Sequence, residues 1–176
     1  MSNKTFTSED YNNNNGMLTS IWGPSLWHVL HCISFNYPTC PTEDDKIRYA
    51  NFLYSLKDVL PCKYCRINLP NNMKKTKFSK KVLKNRKTFS RWVYKLHEEV
   101  NKMLGKKSNL SYNNIRERYE HFRARCNPKK EEVRKKEKGC VNPIYGVKSK
   151  CLLSIVPQSN KRQTFTMDSK CKKKRL

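Results

Sequence analysis

Thr88-Phe89-Ser90-Arg91-Trp92-Val93-Tyr94-Lys95-Leu96-His97-Glu98-Glu99-Val100-Asn101-Lys102-Met103-Leu104-Gly105 is the stretch that decides the fold. Phe89, Trp92, Val93, Leu96, Val100 and Leu104 recur at intervals of three and four, which lays them along one face of a helix. Gly105 stands where a helix end favours a residue tolerant of left-handed backbone. The spacing predicts a core helix over residues 88–104. His97 and Asn101 are four apart, so on that helix they share one side, one turn from each other.

Working outward, other segments read the same way. Gly23-Pro24-Ser25 opens a helix bearing Leu26, Trp27, Leu30, His31 and Phe35, and Tyr37-Pro38 stops it. Thr42-Glu43-Asp44-Asp45 resembles a capping box and introduces a second helix with Ile47, Tyr49, Ala50, Leu53, Leu56 and Leu60 as its apolar face. Pro61 ends it. A short third helix is expected from Cys62 to Leu69, followed by a basic connector over residues 71–86. A fifth helix follows the cap Ser111, over residues 112–124, with Ile115, Tyr119 and Phe122 on one side. Five helices with few strand signals make an all-α protein built as a small bundle. Residues 1–19, with Asn12 to Asn15 in a row, have the composition of a disordered head. A domain over residues 20–144 and a basic, irregular tail over residues 145–176 complete the expected organisation.

The 176 residues suffice for one domain with a real core. No apolar run approaches the ~20 residues that span a bilayer, and the opening residues lack the apolar core of a signal peptide. Thirty-eight Lys and Arg against 14 Asp and Glu give a net charge of +24. Residues 1–126 carry +13 of this and residues 127–176 carry +11. Such a surface attracts polyanions non-specifically. No nucleic-acid recognition motif accompanies it, so a solvated basic surface is favoured over a nucleic-acid function.

Eight cysteines in a chain without an export signal turn attention to Pro61-Cys62-Lys63-Tyr64-Cys65. A helix beginning at Cys62 aims unpaired N–H groups and its positive dipole end at that sulfur, which favours thiolate, and Lys63 and Arg66 push the same way. The motif suits a reversible disulfide. It also opens zinc sites, in which Cys62 and Cys65 would join two of His97, His121, Cys126 or Cys140 in a basic nucleic-acid-binding module. A thioredoxin-like protein would need strands around Cys62, and none is legible.

Trp27 and His31 repeat on the first helix the arrangement of His97 and Asn101 on the fourth. Two helices thus present polar groups beside aromatic ones, suited to a flat, hydrogen-bonding ligand, although each histidine by itself also reads as a core residue.

The motifs in order are Trp27-x-x-Leu30-His31 with Tyr37-Pro38, then Leu60-Pro61-Cys62-x-x-Cys65, then Trp92-x-x-x-Leu96-His97-x-x-Val100-Asn101-x-x-Leu104-Gly105-Lys106. That order closely resembles the Erv/ALR family of FAD-linked sulfhydryl oxidases over about Ile21 to Cys140, and the look of the chain is similar to members carried by large cytoplasmic DNA viruses. The resemblance implies a four-helix bundle with a short fifth helix, FAD at the bundle mouth, and a homodimer. It implies FAD contacts from Gly23, Ser25, Leu26, Trp27, His31 and Tyr37, and from His97, Val100, Asn101, Leu104, Lys106 and Tyr112. Lys102 and Lys106 make chemical sense as partners for a diphosphate. Glu98 departs from the family pattern, in which Asn commonly follows the histidine.

The implied reaction takes thiols of partner proteins, or of a redox relay protein, through the Cys62–Cys65 disulfide to FAD and then to oxygen, giving hydrogen peroxide. It needs no metal. The resemblance also implies a structural disulfide between Cys126 and Cys140 and a mobile shuttle, for which Cys151 and Cys171 are candidates. A viral member would act in the virion or the host cytoplasm.

Overall fold

The computed structural model describes residues 5–124, 139–161 and 166–173. Its helices are α1 (Ser8–Tyr11), α2 (Thr19–Asn36), α3 (Glu43–Val59), α4 (Lys63–Lys75), α5 (Arg86–Met103) and α6 (Tyr112–Glu120), with 3-10 turns at Val82–Lys84 and Ser169–Cys171. Among the described residues there is no strand, only an isolated bridge between Ala124 and Pro143, in keeping with the all-α class. None of these helices is long and apolar enough to cross a membrane.

Side-chain caps set most of the helix starts. Thr42 and Asp45 form the expected capping box of α3, Ser111 and Asn114 form that of α6, and Asn85 with Thr88 closes α5. The C-terminus of α5 is a Schellman turn: Gly105 has φ +64°, its N–H reaches the Lys102 carbonyl at 3.1 Å, and the Lys106 N–H reaches Asn101 at 2.8 Å. The same motif ends α4, with Lys77 at φ 56° in the glycine position and the Phe78 N–H on the Met73 carbonyl at 2.9 Å.

Two prolines do not bound helices as expected. α2 begins at Thr19 and contains Pro24, and α4 runs through Pro70 to Lys75. Each proline removes one backbone bond, yet Pro24 and Pro70 are both exposed, and Asn72 and Met73 beyond Pro70 are buried. The basic connector is accordingly ordered, with Leu83 in the core.

The main core joins Leu30 and Tyr37 of the first segment to Leu53, Leu56 and Leu60, to Leu69 and Met73, and to Phe89, Trp92, Val93 and Leu96 of α5. Ile47, expected on the apolar face of α3, is exposed instead. A second cluster of Phe35, Tyr112 and Tyr119, with Cys32, Tyr94, Ile115 and Phe122 against it, fixes α6 to α2 and α5. Arg123 and Arg86 donate to the Phe35 and Tyr37 carbonyls, placing cations at the C-terminal, negative end of α2.

Candidate functional site

Cys62 is the N-cap of α4. Its backbone is extended, and its sulfur accepts the Cys65 N–H at 3.4 Å, so the positive end of the helix bears on that sulfur as the sequence implied. Both cysteines are half-buried thiols. A hydrogen bond from Cys65 holds the Cys62 thiol below the ordinary range, assisted by the Cys65 and Tyr64 backbone and by Arg66. Burial pushes Cys65 the other way, and its interaction with Cys62 adds to the rise. The pair is thus split into one sulfur that ionises readily and one that keeps its proton. Cys65 packs against the main core, as do Trp22, Leu26 and Trp27.

A ring cluster lies between α2 and α5. The Trp27 and His97 rings stack at 4.1 Å with planes 6° apart, and His31 Nε2 lies 3.1 Å from His97 Nδ1. Burial lowers the His31 pKa to about 3, with His97 and His28 adding to the effect. Burial also lowers that of His97 to about 4, Glu98 opposing and Lys106 adding to the shift. Both imidazoles are neutral at pH 7. His31 is 3% exposed, and its Nδ1 has no hydrogen-bond partner among the described residues. An orphaned buried nitrogen beside a flat aromatic wall is what a polar planar ligand would satisfy.

Beside this cluster, at the C-terminal end of α5, is a cavity of about 570 Å³ bounded by Glu98, Lys102 and the loop from Gly105 to Leu110. Lys102, Lys106 and Lys107 make it cationic, and Ser108 adds a hydroxyl. Glu98 accepts from Asn101 Nδ2 at 3.1 Å and so helps to orient it.

Of the residues named from the sequence, Trp27, His31 and His97 come together in the ring cluster, with Leu26 packed on the core nearby. Asn101, Lys102 and Lys106 follow on the same end of α5, and Gly23 and Ser25 stand half-buried near the start of α2. Val100 is half-buried and Leu104 exposed. Tyr37 and Tyr112 are placed differently. Tyr37 is fully buried and donates to the Leu83 carbonyl at 2.9 Å, and the buried Tyr112 hydroxyl meets Ser90 Oγ at 2.9 Å.

Several residues of the site were not legible in the sequence. The Tyr119 ring lies tilted at 33° with its centroid 5.1 Å from that of His31, its hydroxyl meets His28 Nδ1 at 3.1 Å, and the His28 Nε2 lies 3.8 Å from Cys32 Sγ. The available signal was the spacing of His28 and Cys32, four apart on α2. Lys107 and Ser108 were hidden in an irregular loop.

The remaining cysteines are spread along the chain. Cys140 is disulfide-bonded, while Cys126, expected as its partner, lies outside the described residues. Cys151 is exposed, and burial pushes the Cys32 thiol up, with charge on Cys151 adding to the rise. Cys171 lies where its carbonyl faces Gly146, and Lys173 donates to His121 Nδ1 at 3.0 Å, so this part of the tail folds back onto the end of α6. Cys40 is an exposed thiol. No three His, Cys, Asp or Glu side chains converge as a metal site among the described residues. His97 is engaged instead with His31 and Trp27.

The fold is helical, with a Cys-x-x-Cys pair at a helix N-terminus and a cluster of indole and neutral imidazole rings between α2 and α5. The sequence profile of the Erv1 / Alr family matches residues 24–120, and the chain belongs to that family. It is 40% identical over 86 residues to a probable FAD-linked sulfhydryl oxidase of Acanthamoeba polyphaga mimivirus, covering 49% of this chain and 60% of the relative. It is 31% identical over 98 residues to an FAD-linked sulfhydryl oxidase of African swine fever virus, covering 54% of this chain and 80% of the relative. The crystal structure of the FAD binding domain of Erv1 from Saccharomyces cerevisiae superposes with a TM-score of 0.53 at 26% identity, over 58% of this chain and 94% of that one.

Proposed function

We propose that this chain is an FAD-linked sulfhydryl oxidase that forms disulfides in cysteine-bearing polypeptides. The observation that carries the reading is the divided pair, with Cys62 capping α4 as the more acidic thiol and Cys65 packed on the core that also receives Trp27. Family membership and the names of the relatives support it.

In the oxidised pair a substrate thiolate attacks Cys62 Sγ, the Cys62–Cys65 bond breaks, and the electron pair leaves on Cys65. The second substrate thiolate attacks the substrate sulfur of the mixed disulfide and releases Cys62. Two substrate thiols lose two electrons and two protons, and the enzyme pair gains them. Cys62 is the better leaving thiolate of the two, and Cys65 Sγ holds the proton in the reduced pair.

The residues present fit FAD. Trp27 and His97 offer ring faces, His31 Nδ1 and Asn101 offer polar contacts, and Lys102 and Lys106 suit a diphosphate. When bound, FAD supplies the two-electron acceptor that regenerates the Cys62–Cys65 disulfide and delivers the electrons to oxygen as hydrogen peroxide. Neutral His31 and His97 keep the slot free of fixed charge.

The viral relatives support a viral setting, with action in the virion or host cytoplasm, and a homodimer remains part of this reading. Purification with added FAD followed by an absorption spectrum and an oxygen electrode tests it. A yellow protein that consumes oxygen with dithiothreitol is expected; a colourless, inert one overturns the proposal.

A further inference from the structure

The chain preceding α2 lies against the redox turn. The Met17 N–H donates to the Pro61 carbonyl at 2.8 Å, and the Met17 carbonyl accepts the Trp22 indole N–H at 3.1 Å. A Cβ on Gly16 would stand 2.9 Å from the Pro61 oxygen and 3.4 Å from Cys62 Cα, so only glycine lets the strap lie this close. The segment read as a polar head thus forms a wall beside the turn that carries Cys62.

This wall is apolar where it faces solvent. Met17 is 67% exposed and Tyr64 76%, and Leu18 and Val59 are also largely exposed. Each lies within two residues of a strap contact or of Cys62. The charged residues that directly follow Cys62 are both cationic, Lys63 and Arg66, while Lys75, at the far end of α4, is paired with Glu99 at 3.2 Å. Asp58, before the Cys62 turn, is engaged by Lys57 at 2.9 Å. Exposed apolar side chains rimmed by cations match a partner of complementary composition.

We propose that the Gly16–Leu18 strap and the Cys62 turn form a docking surface for an extended polypeptide whose reactive cysteine is flanked by apolar and acidic residues. This rests on the thiol-oxidase reading above and names its substrate class. Main-chain contact between the strap and Pro61 keeps the surface in register with Cys62 Sγ, so a docked segment presents its thiolate in line for the exchange already described.

The test compares dithiothreitol with two synthetic dithiol peptides that share apolar residues and differ only in flanking Asp or Lys, using the full chain with FAD. The Asp peptide is expected to show a KM several-fold below that of the Lys peptide. High salt should erase the difference, since the Debye length falls to about 3 Å at 1 M. Met17→Ser with Leu18→Ser should lower the ratio of peptide to dithiothreitol kcat/KM several-fold, mainly through KM. Because the readout is a ratio, partial loss of fold or flavin does not mimic it. Dithiothreitol oxidation with equal KM for both peptides, or an unchanged ratio in the variant, overturns the docking surface alone. Failure to oxidise any thiol overturns the enzymatic reading and this proposal with it.

Discussion

His31 Nε2 and His97 Nδ1 stand 3.1 Å apart and tie α2 to α5 through two neutral imidazoles. One nitrogen donates and the other accepts, so protonating either ring sets a cation in a buried site or two donors face to face.

That relationship predicts acid lability. Unfolded histidines take a proton near pH 6.5, whereas folded His97 does so near pH 4 and His31 near pH 3. Between pH 6.5 and about 4 the unfolded state binds more protons, so stability falls as the pH is lowered. The slope is up to about 1.4 kcal/mol per pH unit for each histidine. The melting temperature by circular dichroism should drop from pH 7 to pH 5, and His97→Gln should flatten the dependence. A melting temperature independent of pH over this window in the unaltered protein would contradict the burial argument.

The Cys62 thiol owes its acidity first to Cys65. Iodoacetamide is therefore expected to label Cys62 well before Cys65 at neutral pH, as read by peptide mass spectrometry. Cys65→Ala, which removes that hydrogen bond, should slow labelling of Cys62 at pH 7 and shift its pH profile upward. Faster labelling of Cys65 than of Cys62 would reverse the assignment.

Two helix ends share one turn but not one residue. Lys77 occupies at φ 56° the position that Gly105 fills at φ 64°. A side chain in left-handed backbone costs roughly 1–2 kcal/mol, so Lys77→Gly should stabilise the protein by about 1 kcal/mol. Gly105→Ala should destabilise it by about as much, through its local backbone alone, since no more distant atom lies within 4 Å of an added Cβ. Urea denaturation measures both, and changes of the same sign would refute the argument.

Lys102 and Lys106 rim the cavity at the end of α5. Lys102→Ala with Lys106→Ala should weaken FAD binding and reduce its salt dependence, because the proposed site would lose two cations suited to a diphosphate. Fluorescence titration of FAD at low and high salt gives the answer. Identical salt slopes for the variant and the parent would remove these lysines from the site.

Much of the architecture was local enough to be legible. The three-and-four spacing from Phe89 to Leu96 places those side chains in the core whatever they pack against, because a 3.6-residue helix has one such face. Thr42, Ser111 and Gly105 act on N–H and carbonyl groups within a few residues of themselves. The smaller share of the acidity of Cys62, that from the Cys65 and Tyr64 N–H groups, also follows from its position before α4, since the N-terminal N–H groups act within the first turn.

Other features depend on partners far along the chain. Pro70 reads as a stop, yet burial of Asn72 and Met73 against neighbouring elements outweighs one lost backbone bond. Tyr37 carries the family spacing of a cofactor residue, but its hydroxyl is taken by Leu83, 46 residues away. Helical periodicity put Trp27 and His31 on one helix and His97 on another, each by itself reading more readily as plain core than as a site. Only packing of α2 on α5 brought His31 and His97, 66 residues apart, into contact and left His31 Nδ1 without a partner. The strap beside Cys62 was hidden for the same reason: the need for glycine at Gly16 comes from the Pro61 carbonyl, and no local pattern around Gly16 encodes a surface that arrives from the far end of α3.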